Sequence, residues 1–202
     1  MTGAVFKRFI AAGILLFGGL LQAQAQETFF KPVTLDDPIL SELRVGASFE
    51  GVELNESVLF LPGVVPLDRL HKLSVEAVFG GVDLNVLNLY GDLRPVVGGT
   101  FSLSGEDSWL WGGVNWHVQA LDPLWFEFTA GATVHNGYLE NAPAGRRAYG
   151  CRALIYLSGA FGIDLTENLT ASVNLEHGSH ASTCGATNPG FNTVGFKLGY
   201  KF

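Results

Sequence analysis

The sequence predicts an all-β fold, an eight-stranded antiparallel barrel of the outer-membrane kind, on three observations. About eight segments alternate apolar and polar residues with a period of two, the repeat of a strand with one oily and one polar face. Each is long enough, at about 9–12 residues, for a tilted crossing of a bilayer's hydrocarbon. The chain ends on an aromatic, Phe202, in the apolar register of its last strand, with Tyr200 beside it as part of an interfacial belt. Alternation alone also suits a soluble sandwich or a lipocalin-like carrier, whose apolar residues would face inward. In hydrocarbon the sheet must close, because an open edge leaves backbone groups unpaired.

Residues 1–25 carry the pattern of an export signal: basic Lys7 and Arg8, an apolar run Phe9–Leu21, and the small-residue site Ala23-Gln24-Ala25. The run is too short for a spanning helix, which takes about 20 residues. The mature chain is expected to begin near Gln26 and to form one domain, 26–202, with strands from about residue 40. The first strand sets Leu43, Val45, Ala47 and Phe49 against Glu42, Arg44, Ser48 and Glu50. The second sets Leu73, Val75, Ala77 and Phe79 against Lys72, Ser74 and Glu76. In the third, Val97, Phe101 and Leu103 oppose Arg94, Thr100 and Ser102. In the fourth, Leu110, Val114, Trp116 and Val118 oppose Asn115, His117 and Gln119. The fifth opposes Leu124, Phe126, Phe128 and Val134 to Glu127, Thr129 and Thr133. The sixth opposes Ala153, Ile155, Leu157, Phe161 and Ile163 to Arg152, Tyr156, Ser158 and Asp164. The seventh and eighth form the C-terminal hairpin, with Leu169, Ala171, Val173 and Leu175 on one arm and Val194, Phe196, Leu198, Tyr200 and Phe202 on the other.

An even strand count puts both chain ends on the periplasmic side. Connections near 80–93, 121–123 and 165–167 are then short turns on that side, and those near 51–70, 104–107, 136–150 and 181–190 face outside. Eight strands enclose a lumen just filled by side chains. The charged inward positions Glu42, Arg44, Lys72, Glu76, Arg94, Glu127, Arg152 and Glu176 are expected to neutralise one another there. Without Lys7 and Arg8 the chain has 10 basic residues against 19 acidic, a net charge of −9, which argues against nucleic acid as a partner. Cys151 and Cys184 both fall at the external end, where a disulfide is geometrically open to them; two buried thiols are the alternative. Their spacing fits no zinc site, and no metal or other cofactor is expected.

The chemistry-bearing stretch is the closed end of the last hairpin. Continuing the apolar register of the seventh strand reaches His177 and Ser179, and running that of the eighth backwards reaches Asn192. All three therefore share the lipid-facing side. A serine nucleophile needs a base to take its proton, and the base needs a third group to fix its tautomer. His177 and Ser179, two apart on a strand, point the same way and lie roughly 6–7 Å apart at the backbone. His180 or Asn188 in the following loop would supply an oxyanion donor. By spacing alone HxS is a weak signal, since polar residues at a barrel rim more often meet headgroups or water. Gly178 and Gly190 suit close approach of a bulky lipid, or plain turn chemistry.

The run Glu176-His177-Gly178-Ser179-His180-Ala181, then Cys184, then Asn188-Pro189-Gly190-Phe191-Asn192, then Gly199-Tyr200-Lys201-Phe202, resembles the lipid A 3-O-deacylase (PagL) family, and more closely its alphaproteobacterial branch labelled acyloxyacyl hydrolase. Arg94-Pro95, Gly98-Gly99, Gly105, Val134-His135-Asn136-Gly137 and Gly150-Cys151-Arg152 extend the resemblance over about residues 40–202. It implies an eight-stranded outer-membrane barrel that hydrolyses the ester-linked acyl chain at position 3 of lipid A by a serine-hydrolase mechanism without metal. By position it implies Ser179 as nucleophile, His177 as base and Asn188 as oxyanion donor. Asn192 stands where active deacylases carry a glutamate, and His180 replaces the usual asparagine after the serine. The implied partners are lipid A in lipopolysaccharide and the lipids of the outer membrane. Arg146 and Arg147 are expected mainly as loop charges without a fixed partner, with lipid A phosphates as the alternative. His71, His117 and His135 are expected to be structural. The competing expectation is a non-catalytic barrel serving envelope structure or adhesion, in which Ser179 and His177 are replaceable.

Overall fold

The computed structural model describes residues 39–50, 70–83, 90–144, 146–181, 183–184 and 190–202. The export-signal reading of 1–25 and the residue Asn188 lie outside them. The strands are β1 (Leu40–Glu50), β2 (Lys72–Phe79), β3 (Asp92–Ser102), β4 (Trp109–Leu121), β5 (Leu124–His135), β6 (Ala153–Asp164), β7 (Leu169–Ser179) and β8 (Phe191–Lys201). Val82–Asp83 continues β2 past Gly80-Gly81 and pairs with Leu93 and Asp92. Each strand pairs antiparallel with its chain neighbours, and β1 pairs with β8 from Glu42↔Lys201 to Glu50↔Thr193. That last pairing closes the barrel and leaves no free edge. No helix among the described residues is long and apolar enough to cross a membrane.

The wall is inside-out relative to a water-soluble protein. Large apolar side chains line the outside around the circumference; Phe196 and Leu198 are 54% and 60% exposed. Each such side chain left in water forgoes about 1.5–3 kcal/mol of burial, so a continuous belt of them belongs in lipid. The lipocalin-like alternative, which needs the apolar residues inside, is overturned by this parity. Val194 and Val118 depart from their exposed neighbours, being 7% and 8% exposed. Val194 sits between its cross-strand partners Phe49 and Leu175.

The lumen holds charges in compensated groups. Arg44 donates to Glu42, Glu76 and Glu127 at 2.6, 2.9 and 2.7 Å. Glu127 also takes Arg94, and His117 Nδ1 at 3.0 Å. Lys197, absent from the expected set, bridges Glu76 at 2.6 Å and Glu176 at 3.3 Å. Two of the expected members bond to backbone carbonyls near the rim. Arg152 is exposed at the rim and donates to the carbonyls of His135 and Gly137. Lys72 Nζ turns up to the Asp107 carbonyl at 2.5 Å and over the Trp109 ring. Aromatic rings fill the rest: Trp109 stacks on Phe191 at 4.2 Å and Trp111 on Tyr156 at 4.6 Å. This packing agrees with a lumen that eight strands leave just wide enough for side chains.

Candidate active site

β7 and β8 position the site through their register, in which His177 lies directly opposite Asn192. His177 Nδ1 is 2.7 Å from Asn192 Oδ1, and His177 Nε2 is 3.0 Å from Ser179 Oγ. The amide oxygen only accepts, so Nδ1 carries the ring proton and Nε2 is left to accept from the serine hydroxyl. The relay therefore runs from Ser179 O–H to the imidazole, with the tautomer set by Asn192. All three side chains are half-buried on the outer wall, near the end of the barrel that carries the long loops. Leu157 on β6 pairs with His177 and Ile155 with Ser179, so the flank is apolar. The arrangement has the parts for nucleophilic attack on an ester presented from the lipid side.

Charge is missing from the third position. Among the described residues no carboxylate forms an ion pair with His177. Glu176, its chain neighbour, faces the lumen and is held there by Asn174, Thr193 and Lys197. Nor does any group of three His, Cys, Asp or Glu among the described residues form a metal site.

His180 follows Ser179 and so points to the opposite side. It is 1% exposed, and its Nδ1 accepts from the Cys184 amide at 3.4 Å. The ring lies beside Gly150, where an added Cβ would meet its Nε2 at 3.3 Å and the Cys184 carbonyl at 2.7 Å. His180 is thus a wedge between the two outer loops. Cys151 and Cys184 are disulfide-bonded, with Cα atoms 5.7 Å apart, and tie the same two loops together. Ala181 takes the left-handed backbone conformation at φ 47°, closing a turn in which Thr183 bonds back to the His180 carbonyl. A non-glycine residue there stores strain of about 1–3 kcal/mol.

The two glycines at the site have separate causes. Gly178 faces inward, and a Cβ there would stand 2.1 Å from the Phe191 ring, so the ring rather than a lipid requires it. Gly190 has φ 55°, and a Cβ there would meet the Gly178 carbonyl at 2.6 Å. Its own carbonyl accepts from Arg147 Nη1 at 3.0 Å. Arg147 therefore has a fixed partner, contrary to the expectation of a free loop charge. Nothing in the aperiodic loop sequence signals that bond.

The remaining histidines brace the barrel. His135 Nε2 donates to the Cys151 carbonyl at 2.7 Å, His117 meets Glu127, and His71 is buried. Asn136 accepts from the Ser108 amide, joining the loop after β3 to the loop after β5. Tyr149 O–H donates to Asp107 across the same junction.

A family model described as lipid A 3-O-deacylase (PagL) matches residues 99–201. No individual curated protein matches. Among solved structures, the N-terminal β-barrel domain of Pseudomonas aeruginosa OprF is similar with a TM-score of 0.53 at 11% identity, over 82% of this chain and 98% of that one. The crystal structure of the outer membrane enzyme PagL is similar with a TM-score of 0.51 at 11% identity, over 80% of this chain and all of that one, 100%. At such identities both likenesses show the fold alone.

Proposed function

The chain belongs to the lipid A 3-O-deacylase (PagL) family, and we propose that it is an outer-membrane ester hydrolase removing the 3-O-linked hydroxyacyl chain from lipid A. It reaches the outer membrane through a cleaved export signal over residues 1–25. Ser179 is the nucleophile, His177 the general base and Asn192 the orienting group. What supports this reading most is the His177 ring, held between Asn192 Oδ1 and Ser179 Oγ at 2.7 and 3.0 Å on the lipid-facing wall. Ser179 Oγ attacks the ester carbonyl as His177 Nε2 takes its proton. The imidazolium then protonates the departing sugar hydroxyl, leaving an acyl-serine that water hydrolyses by the same relay. Asn188 is the oxyanion donor in this scheme, while His180 contributes by holding the turn that follows the nucleophile.

The ester lies just below the headgroups of the outer leaflet. A site on the outer wall near the loop end meets that depth without drawing the lipid out of the bilayer. The competing reading is a barrel with no chemistry, which the shared fold alone would equally allow. Purified protein in detergent should release free 3-hydroxy fatty acid from lipid A, and Ser179→Ala and His177→Ala should each lower that rate by about 10³-fold or more. Equal release by all three proteins would remove the reading.

A further inference from the structure

Arg147 is anchored beside the site. Its Nη1 donates to the Gly190 carbonyl at 3.0 Å, and a Cβ on Gly190 would stand 3.4 Å from the Ser179 Cβ. The guanidinium is thus bonded to the residue that packs against the nucleophile. It is half-buried, and among the described residues no carboxylate pairs with it. Only one of its five N–H donors is engaged by that carbonyl. Arg146 and Arg152, on the same stretch of loop, also lack an ion-pair partner among the described residues, although Arg152 is bonded to two carbonyls. The same stretch carries one acid, Glu140, which forms no ion pair among the described residues. Among the described residues these cations have no ion-pair partner, whereas Arg44, Arg94 and Lys197 in the lumen are each paired with carboxylates. A half-buried cation kept without countercharge is unfavourable unless a ligand brings the anion.

We propose that Arg147 is a substrate-binding residue that recognises a phosphate ester on the sugar bearing the scissile acyl chain. The inference rests on the deacylase reading and deepens it. Lipid A carries its acyl esters and phosphates on the same small disaccharide, so an ester at Ser179 brings a phosphate within a sugar ring's width of it. A guanidinium held by one N–H keeps a planar fork for that anion, which a lysine ammonium cannot reproduce.

The test measures binding on hydrolysis-dead protein, so that it does not depend on turnover. Ser179→Ala and Ser179→Ala/Arg147→Gln are titrated calorimetrically in the same micelles with diphosphoryl lipid A. They are then titrated with lipid A lacking the phosphate of the ester-bearing sugar. Ser179→Ala should bind the diphosphoryl form about tenfold more tightly or better, as expected of a charge-assisted bond. The double variant should bind both forms with equal weakness, and Ser179→Ala/Arg147→Lys, which keeps the charge and guards against a misfolded Gln variant, should retain part of the preference. No preference in Ser179→Ala, or a preference that survives Arg147→Gln, overturns the proposal. So does full displacement by millimolar inorganic phosphate, which would assign the arginine to free anions. If the preference holds while the wild type releases no fatty acid, the deacylase reading fails and the phosphate site stands.

Discussion

His177 can accept a proton from Ser179 only if its own proton sits on Nδ1, and Asn192 Oδ1 at 2.7 Å fixes it there. An amide oxygen orients the ring as well as a carboxylate does, yet it offers no negative charge to the imidazolium that forms during attack. A charge-assisted hydrogen bond is roughly twice as strong as a neutral one, a difference of about 1–1.5 kcal/mol. Asn192→Asp should therefore raise kcat about tenfold with KM little changed, measured as fatty acid release from lipid A in micelles. A fall in kcat would mean that the amide's second group has a role of its own. The trio was legible because the two-residue parity of β7 and β8 runs unbroken into it. The setting of His180 was not, since its place depends on the Cys184 turn and on Gly150, neither of which has a period.

The outer loops after β3, β5 and β7 are joined by the Cys151–Cys184 disulfide, Tyr149 to Asp107, Asn136 to Ser108, and Arg147 to Gly190. The disulfide spans 33 residues, and on the chain-entropy model such a closure contributes about 3–4 kcal/mol. It closes the segment that carries both Ser179 and the strand leading to it, and it holds the turn leading out. A Cys151→Ser/Cys184→Ser protein should keep its barrel, seen as unchanged far-ultraviolet circular dichroism, while its hydrolysis rate falls several-fold. Loss of the barrel itself would mean that the latch is needed for folding rather than for the site. From sequence the two cysteines were expected to pair, as an even pair at one end of an exported chain, with buried thiols as the alternative that the same alternation allows. Once the strands are in register, their distance decides.

Across the whole molecule, a lipid-facing belt encloses a charged lumen, and the two make opposite demands on sequence. The belt was readable strand by strand, apart from Val118 and Val194, since an outward residue answers mainly to lipid. The lumen was readable as polar parity but not as partners. Lys197 sits between Phe196 and Leu198 in the most apolar arm and yet crosses to Glu76, a pairing that exists only after closure. Arg152 reads as inward by count and is diverted to loop carbonyls at the rim. Glu127 is the hub, accepting from Arg44, Arg94 and His117. Glu127→Ala leaves those cations under-compensated inside a closed wall, and breaking such a buried group costs about 3–5 kcal/mol. The variant's urea midpoint in detergent should drop accordingly. An unchanged midpoint would show that water in the lumen screens the cluster.

The kinetic expectations share one premise, that this barrel cuts lipid A. Mass spectrometry of lipid A from cells making the wild type, set beside cells making equal amounts of Ser179→Ala in the same membrane, asks that directly. Only the wild type should give lipid A lighter by one hydroxyacyl chain. Identical lipid A from both, with both barrels folded, would contradict the premise.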